Sequence, residues 1–217
     1  MDSNKVNVYL GTQVDEVTDA MVKRLAVKAV NITDMLARAY TTPKGVDGLK
    51  ILSMAAGLAG YACHKAVSEE KGSFHVVTSL EGKEYYFSDD VNAYLYDGAT
   101  SVIGLLLGLY GCRYPDADKP DVKPAIEKAA AKAGHSDYRI AGLNPNTLME
   151  EVMTCFDAIK DTLIIPNCES PKEWPVLMGI VLQSVADEIM RVSNPREVFD
   201  ITVDIILYLS KMDVNSL

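Results

Sequence analysis

Large aromatic side chains are scarce in this sequence: one tryptophan and four phenylalanines in 217 residues, beside eleven tyrosines. A core of that composition must be mainly aliphatic, with nine methionines as adaptable filler. Basic charge is short too: 21 Lys and Arg against 30 Asp and Glu give a formal net charge of −9. Such a surface repels nucleic-acid phosphates unless a basic patch compensates. The stretch "KRLAVK" at 23–28 is too mild to do so, and no nucleic-acid partner is expected. The four cysteines, Cys63, Cys112, Cys155 and Cys168, show no CxxC spacing. They read as small apolar residues in a reducing compartment. The opening "MDSNKVNVYL" lacks the basic-then-apolar pattern of a secretory signal, so a cytoplasmic location is expected. A bilayer-spanning helix needs about 20 apolar residues. The runs at 51–63, "ILSMAAGLAGYAC", and 99–112, "ATSVIGLLLGLYGC", are shorter, and no membrane association is expected. Phosphate loops, dinucleotide fingerprints, HExxH and nucleophile elbows are missing. No cofactor is expected.

What is present is helical periodicity. Met21, Leu25, Ala29, Ile32, Leu36 and Tyr40 recur every three or four residues and predict a helix over 14–40. Further helices are predicted over 49–68, 89–98, 99–112 and 125–134. Asn144-Pro145, Ser170-Pro171 and Asn194-Pro195 each pair a cap residue with a first-turn proline. They open helices over 145–164, 171–191 and 195–212, and Ser170 with Glu173 forms a capping box. The period shifts to two in "SFHVVTSLEGKEYYFS", predicting a β-hairpin over 73–88 with Glu81-Gly82 as its turn. That register opposes Thr78 to Tyr85 and Val76 to Phe87, and sets His75, Glu84 and Tyr86 on the more polar face. The segment 5–10 reads as a short strand or extended arm. The fold class is therefore all-α, about seven helices, with one inserted β-hairpin. One domain spans 1–217, with a possible sub-lobe boundary at the Pro/Asp-rich segment 113–124.

Gly104, Gly108 and Gly111 share one side of a helix, and Ala56, Gly57 and Gly60 make a similar stripe on another. An interior glycine costs about 0.5–1 kcal/mol relative to alanine. The two stripes therefore predict that helices 50–67 and 99–112 cross closely in the core.

Site candidates are few. Glu197, Asp200 and Asp204 lie three and four residues apart on one helical face, where oxygen ligands for Mg²⁺ or Mn²⁺ would converge if neighbouring helices supplied more acids. That pattern would suit a divalent-metal-dependent hydrolase of a phosphorylated small molecule; a solvated stripe reads the same way. His75, Glu84 and Tyr86 are weak catalytic candidates for acid–base chemistry, and His64 suits a helix end. Tyr85, Tyr86, Tyr94, Tyr96 and Trp174 offer large rigid contact areas and are the candidate interface. The leading expectation is a protein acting through protein contact, as a homodimer. The alternatives are the metal hydrolase and a binder of a small apolar ligand between the glycine-lined helices, where missing side chains leave room.

Overall fold

A computed structural model describes residues 6–43, 45–78, 82, 84–132, 140 and 142–211. Among these, eight α-helices run in the order α1 (Glu16–Ala39), α2 (Gly48–Glu69), α3 (Asp89–Tyr96), α4 (Val102–Arg113), α5 (Lys123–Lys132), α6 (Pro145–Ile159), α7 (Glu173–Met190) and α8 (Pro195–Leu209). Two antiparallel pairs complete the fold: β1 (Thr41–Thr42) with β2 (Gly45–Val46), and the hairpin β3 (His75–Thr78) with β4 (Glu84–Phe87). The chain is all-α with an inserted β-hairpin. No helix among the described residues is long and apolar enough to cross a membrane.

Helix starts follow local chemistry. Asp15, Asp47, Ser88, Ser101, Asn144 and Asn194 accept hydrogen bonds from first-turn backbone N–H groups. Ser101 thus interrupts the run of 99–112 near its start as an N-cap, and α4 begins only at Val102. The start of α7 departs from the expected box. Ser170 lends only its carbonyl, to Glu173 N–H, while the Glu173 carboxylate reaches back to the N–H of Glu169 at 2.8 Å. Arg24 of α1 also claims Glu173, at 2.5 Å, which pulls that side chain away from Ser170. After α6 the chain widens into a π-helical turn (Lys160–Ile164) and a 3₁₀ turn (Ile165–Asn167).

α2 and α7 form the centre. Every residue from Ile51 to His64 is buried, and α7 is buried over most of its length. α7 packs along α1, α2 and α4, while α2 also lies against α8 and α6. The expected crossing of the two glycine-bearing helices does not occur: α2 and α4 share no packed seam. The α2 stripe receives α8 and α6 instead. A Cβ on Gly60 would come within 2.5 Å of the Ile206 carbonyl oxygen, and one on Gly57 within 2.5 Å of Val152 Cγ2. Glycine periodicity announces that something comes close. It does not say which element.

The hairpin departs from expectation by one residue. Thr78 opposes Glu84, Val77 opposes Tyr85 and Val76 opposes Tyr86, so His75 faces Phe87. Most of the expected turn lies outside the described residues. The physical reason is that burial divides the strands, not the faces. β4 is wedged between α8 and α2, and all of β3 is exposed. The buried Tyr85 sets its hydroxyl 3.3 Å from that of Tyr208, and Tyr86 packs edge-on to His64 at 5.7 Å between ring centres. Alternation predicts one wet face; a hairpin lying edge-on to helices buries one strand instead.

Half-buried Lys211 secures this wedge. Its carbonyl accepts the Tyr86 N–H at 2.7 Å, and its amine sits 5.5 Å from the centre of the Phe87 ring. Burial pushes that amine down to about 8, from an ordinary 10.5. The folded state therefore holds fewer protons than the unfolded chain between these values, and the penalty is complete below pH 8. Lys211→Met is expected to raise stability in denaturant melts at pH 7. The gain should shrink as pH rises from 8 toward 10; a gain that grows with pH contradicts this account.

Candidate functional site

The glycine side of α4 lines a surface cleft of about 580 Å³. Its geometry starts from one buried amide. Gln183 interrupts the apolar sequence of α7 and is 1% exposed. An amide so placed must find polar partners, and here they are backbone groups. Gln183 Oε1 accepts the Tyr9 N–H at 2.8 Å. Its Nε2 donates to the carbonyls of Tyr9, at 2.8 Å, and Leu105, at 2.5 Å. The segment 6–12 is thereby held as an extended arm along α4, with a further bond from Val6 N–H to the Ala26 carbonyl at 3.4 Å.

The arm needs helix surface with no side chain on it. A Cβ on Gly108 would collide with the Tyr9 carbonyl and come within 2.8 Å of Gly11 N; one on Gly104 would collide with the Gly98 carbonyl. Gly98 itself has φ +92°, a conformation that favours glycine. Gly111 differs, since nothing lies within 4 Å of where its Cβ would stand. The space beside it is the cleft. Leu10, Gly11 and Thr12 form one wall, and Pro115, Ala117, Lys119 and Pro120 form another. Tyr96, Tyr110 and Tyr114 supply aromatic surface. Tyr110 rests on Phe199 and Tyr114 at 5.6 and 5.4 Å between ring centres, and the Tyr114 hydroxyl donates to the Met190 carbonyl at 3.0 Å. Tyr96 is 38% exposed, and its phenol pKa is raised, first by burial and then by Asp97 and Asp89. Arg113 braces the floor through two bonds to Asp187, at 2.8 and 2.5 Å, with its guanidinium 5.0 Å from the Tyr9 ring centre.

The sequence-predicted residues fall elsewhere. His75 is exposed and lies on the opposite hairpin face from Glu84 and Tyr86, because of the shifted register. Tyr86 donates its hydroxyl to Glu84 at 2.7 Å, so these two meet without the histidine. Buried His64 packs against Phe74 at 4.8 Å, inside the last turns of α2. His135 lies outside the described residues. On α8, Asp200 is held by Arg196 at 3.0 Å and Asp204 by Lys128 of α5, while Glu197 sits in the first turn. Among the described residues no three His, Cys, Asp or Glu side chains are grouped to hold a metal ion.

Of the candidate interface, Tyr85 and Trp174 are 3% and 4% exposed. They present no surface to a partner. Trp174 fills the seam between α7 and α6, against Phe156 at 6.0 Å and below Lys160. Tyr94 bonds Glu70 at 3.1 Å, and Tyr96 alone of the five belongs to the cleft. Sequence reasoning missed Tyr9, Gln183 and Lys119. A lone glutamine in an apolar helix was the available signal for an irregular segment nearby.

The chain matches no protein-family model, no curated protein and no solved structure, so its own geometry is the basis for a functional reading.

The α4 glycines separate in a direct test. Gly111→Ala should raise stability by about 0.5–1 kcal/mol, as an ordinary helix substitution does. Gly108→Ala should lower it by about 1–3 kcal/mol, because the arm backbone must move. Urea melts of the two variants read the sign; a loss at Gly111 equal to that at Gly108 contradicts the open-space assignment.

Proposed function

We propose that this protein is a binding module for a small, largely apolar ligand seated in the cleft beside α4. The observation that carries the reading is Gly111: a glycine kept inside a helix with no neighbour demanding it, opening onto an aromatic-walled space of about 580 Å³. Ligand sites are concave, mostly apolar and of roughly 300–1,000 Å³. The cleft meets that description with glycine backbone, tyrosine rings and leucine. The metal-hydrolase alternative has less support, because Asp200 and Asp204 are engaged by Arg196 and Lys128.

The neutral fluorophore phenylnaphthylamine, bright only in apolar surroundings, tests the reading. Wild type should enhance its emission saturably, and Gly111→Phe, which fills the cleft from a position with free space, should weaken binding at least tenfold. Equal binding by the two proteins overturns the proposal.

A second reading has its own observation. Val76 and Val77 are 48% and 54% exposed on β3, the outer strand of a two-stranded hairpin. An exposed apolar edge of this kind is a template for strand pairing. A second copy added there would make the protein a homodimer with a four-stranded sheet. Light scattering at micromolar concentration should then give twice the chain mass, falling to one mass in Val77→Lys; a monomeric wild type overturns this reading.

A further inference from the structure

The geometry points to an amphipathic anion as the ligand: an aromatic or apolar body in the α4 cleft with one negative group at Lys119. This inference rests on the cleft reading above and adds the chemistry of the ligand's head group.

The chain carries 30 acids and 21 bases, yet among the described residues no Asp or Glu lines the cleft, and Lys119 is its one cation. The segment "PDADKPD" at 115–121 is among the most acidic of the chain. Its lysine lines the cleft and its aspartates do not. Pro115, Ala117 and Lys119 line it, while the intervening Asp116 and Asp118 do not. Lys119 is exposed and forms no ion pair among the described residues. The nearby Arg113 is already committed to Asp187 and the Tyr9 ring. One lysine free of ion pairs thus borders a space lined by glycine and tyrosine. In a protein that otherwise repels anions, that arrangement selects a ligand with a single negative charge and a body able to fill the interior.

Two probes of nearly the same body isolate the charge: neutral phenylnaphthylamine and its sulfonated relative, anilinonaphthalene sulfonate. Each is titrated into the full chain at low ionic strength. Wild type should bind the sulfonate about three- to fivefold more tightly than the neutral probe, the gain expected of one exposed ion pair. Added salt should erase the difference. Lys119→Gln should remove the preference for the sulfonate, bringing the two probes to the same affinity. Equal affinity of wild type for the two probes, or a preference that survives in Lys119→Gln, overturns the inference while leaving the cleft reading intact. Gly111→Phe should lose both probes together. Ala117→Trp, which fills the mouth from the exposed segment rather than from a helix, should do the same if the Gly111 variant folds poorly. Retention of both probes by these variants, or binding of neither by wild type, overturns the cleft reading and this inference with it.

Discussion

One buried amide holds an extended backbone against a bare helix, and the candidate site depends on that contact. Gln183 answers both the N–H and the C=O of Tyr9 and still reaches the Leu105 carbonyl. Unmade, these bonds would leave buried polar groups unsatisfied at a cost of about 1–3 kcal/mol each. The arm lies close enough to use them only because Gly108 carries no side chain. The cleft follows, with the arm as one wall, the glycine side of α4 as floor and the segment beyond α4 as the other wall. Arg113 and Asp187 fix the distal end of that floor through a two-point ion pair.

Glycine serves different ends in this chain. At Gly60 it admits the backbone of α8, at Gly108 it admits the arm, and at Gly111 it admits nothing from the chain itself. The first two offset their helix-propensity cost through packing. The third has no such return inside the protein, and this asymmetry, rather than the stripe, sets the cleft apart from ordinary tight packing. The hairpin shows a similar asymmetry: β4 is bound into the core by Tyr85, Tyr86 and Lys211, while β3 keeps two valines in solvent.

Much of the fold was legible because its signals are local. Asn144 and Asn194, with prolines after them, mark helix starts through the chemistry of free N–H groups. The periodicity of 14–40 needs only a neighbouring core to become α1. What was not legible depends on which distant segment arrives. The stripes at 56–60 and 104–111 specify close approach without naming a partner, so pairing them with each other was a choice the sequence does not contain. The register at Tyr85 depends on Tyr208, far along the chain, and no hairpin rule supplies that contact. The cleft was hidden for the same reason. Tyr9, Gly111, Lys119 and Gln183 carry no shared spacing, and only the course of the arm over α4 brings them together.

The central claim is that the arm is a fixed part of the folded protein, latched at Tyr9 by Gln183. Native-state hydrogen exchange of the Tyr9 amide measures this directly. The account predicts an amide protected far beyond the unstructured-chain rate, with the protection collapsing to that rate in Gln183→Leu. A Tyr9 amide that exchanges as freely as an unfolded peptide in the wild-type protein would contradict it.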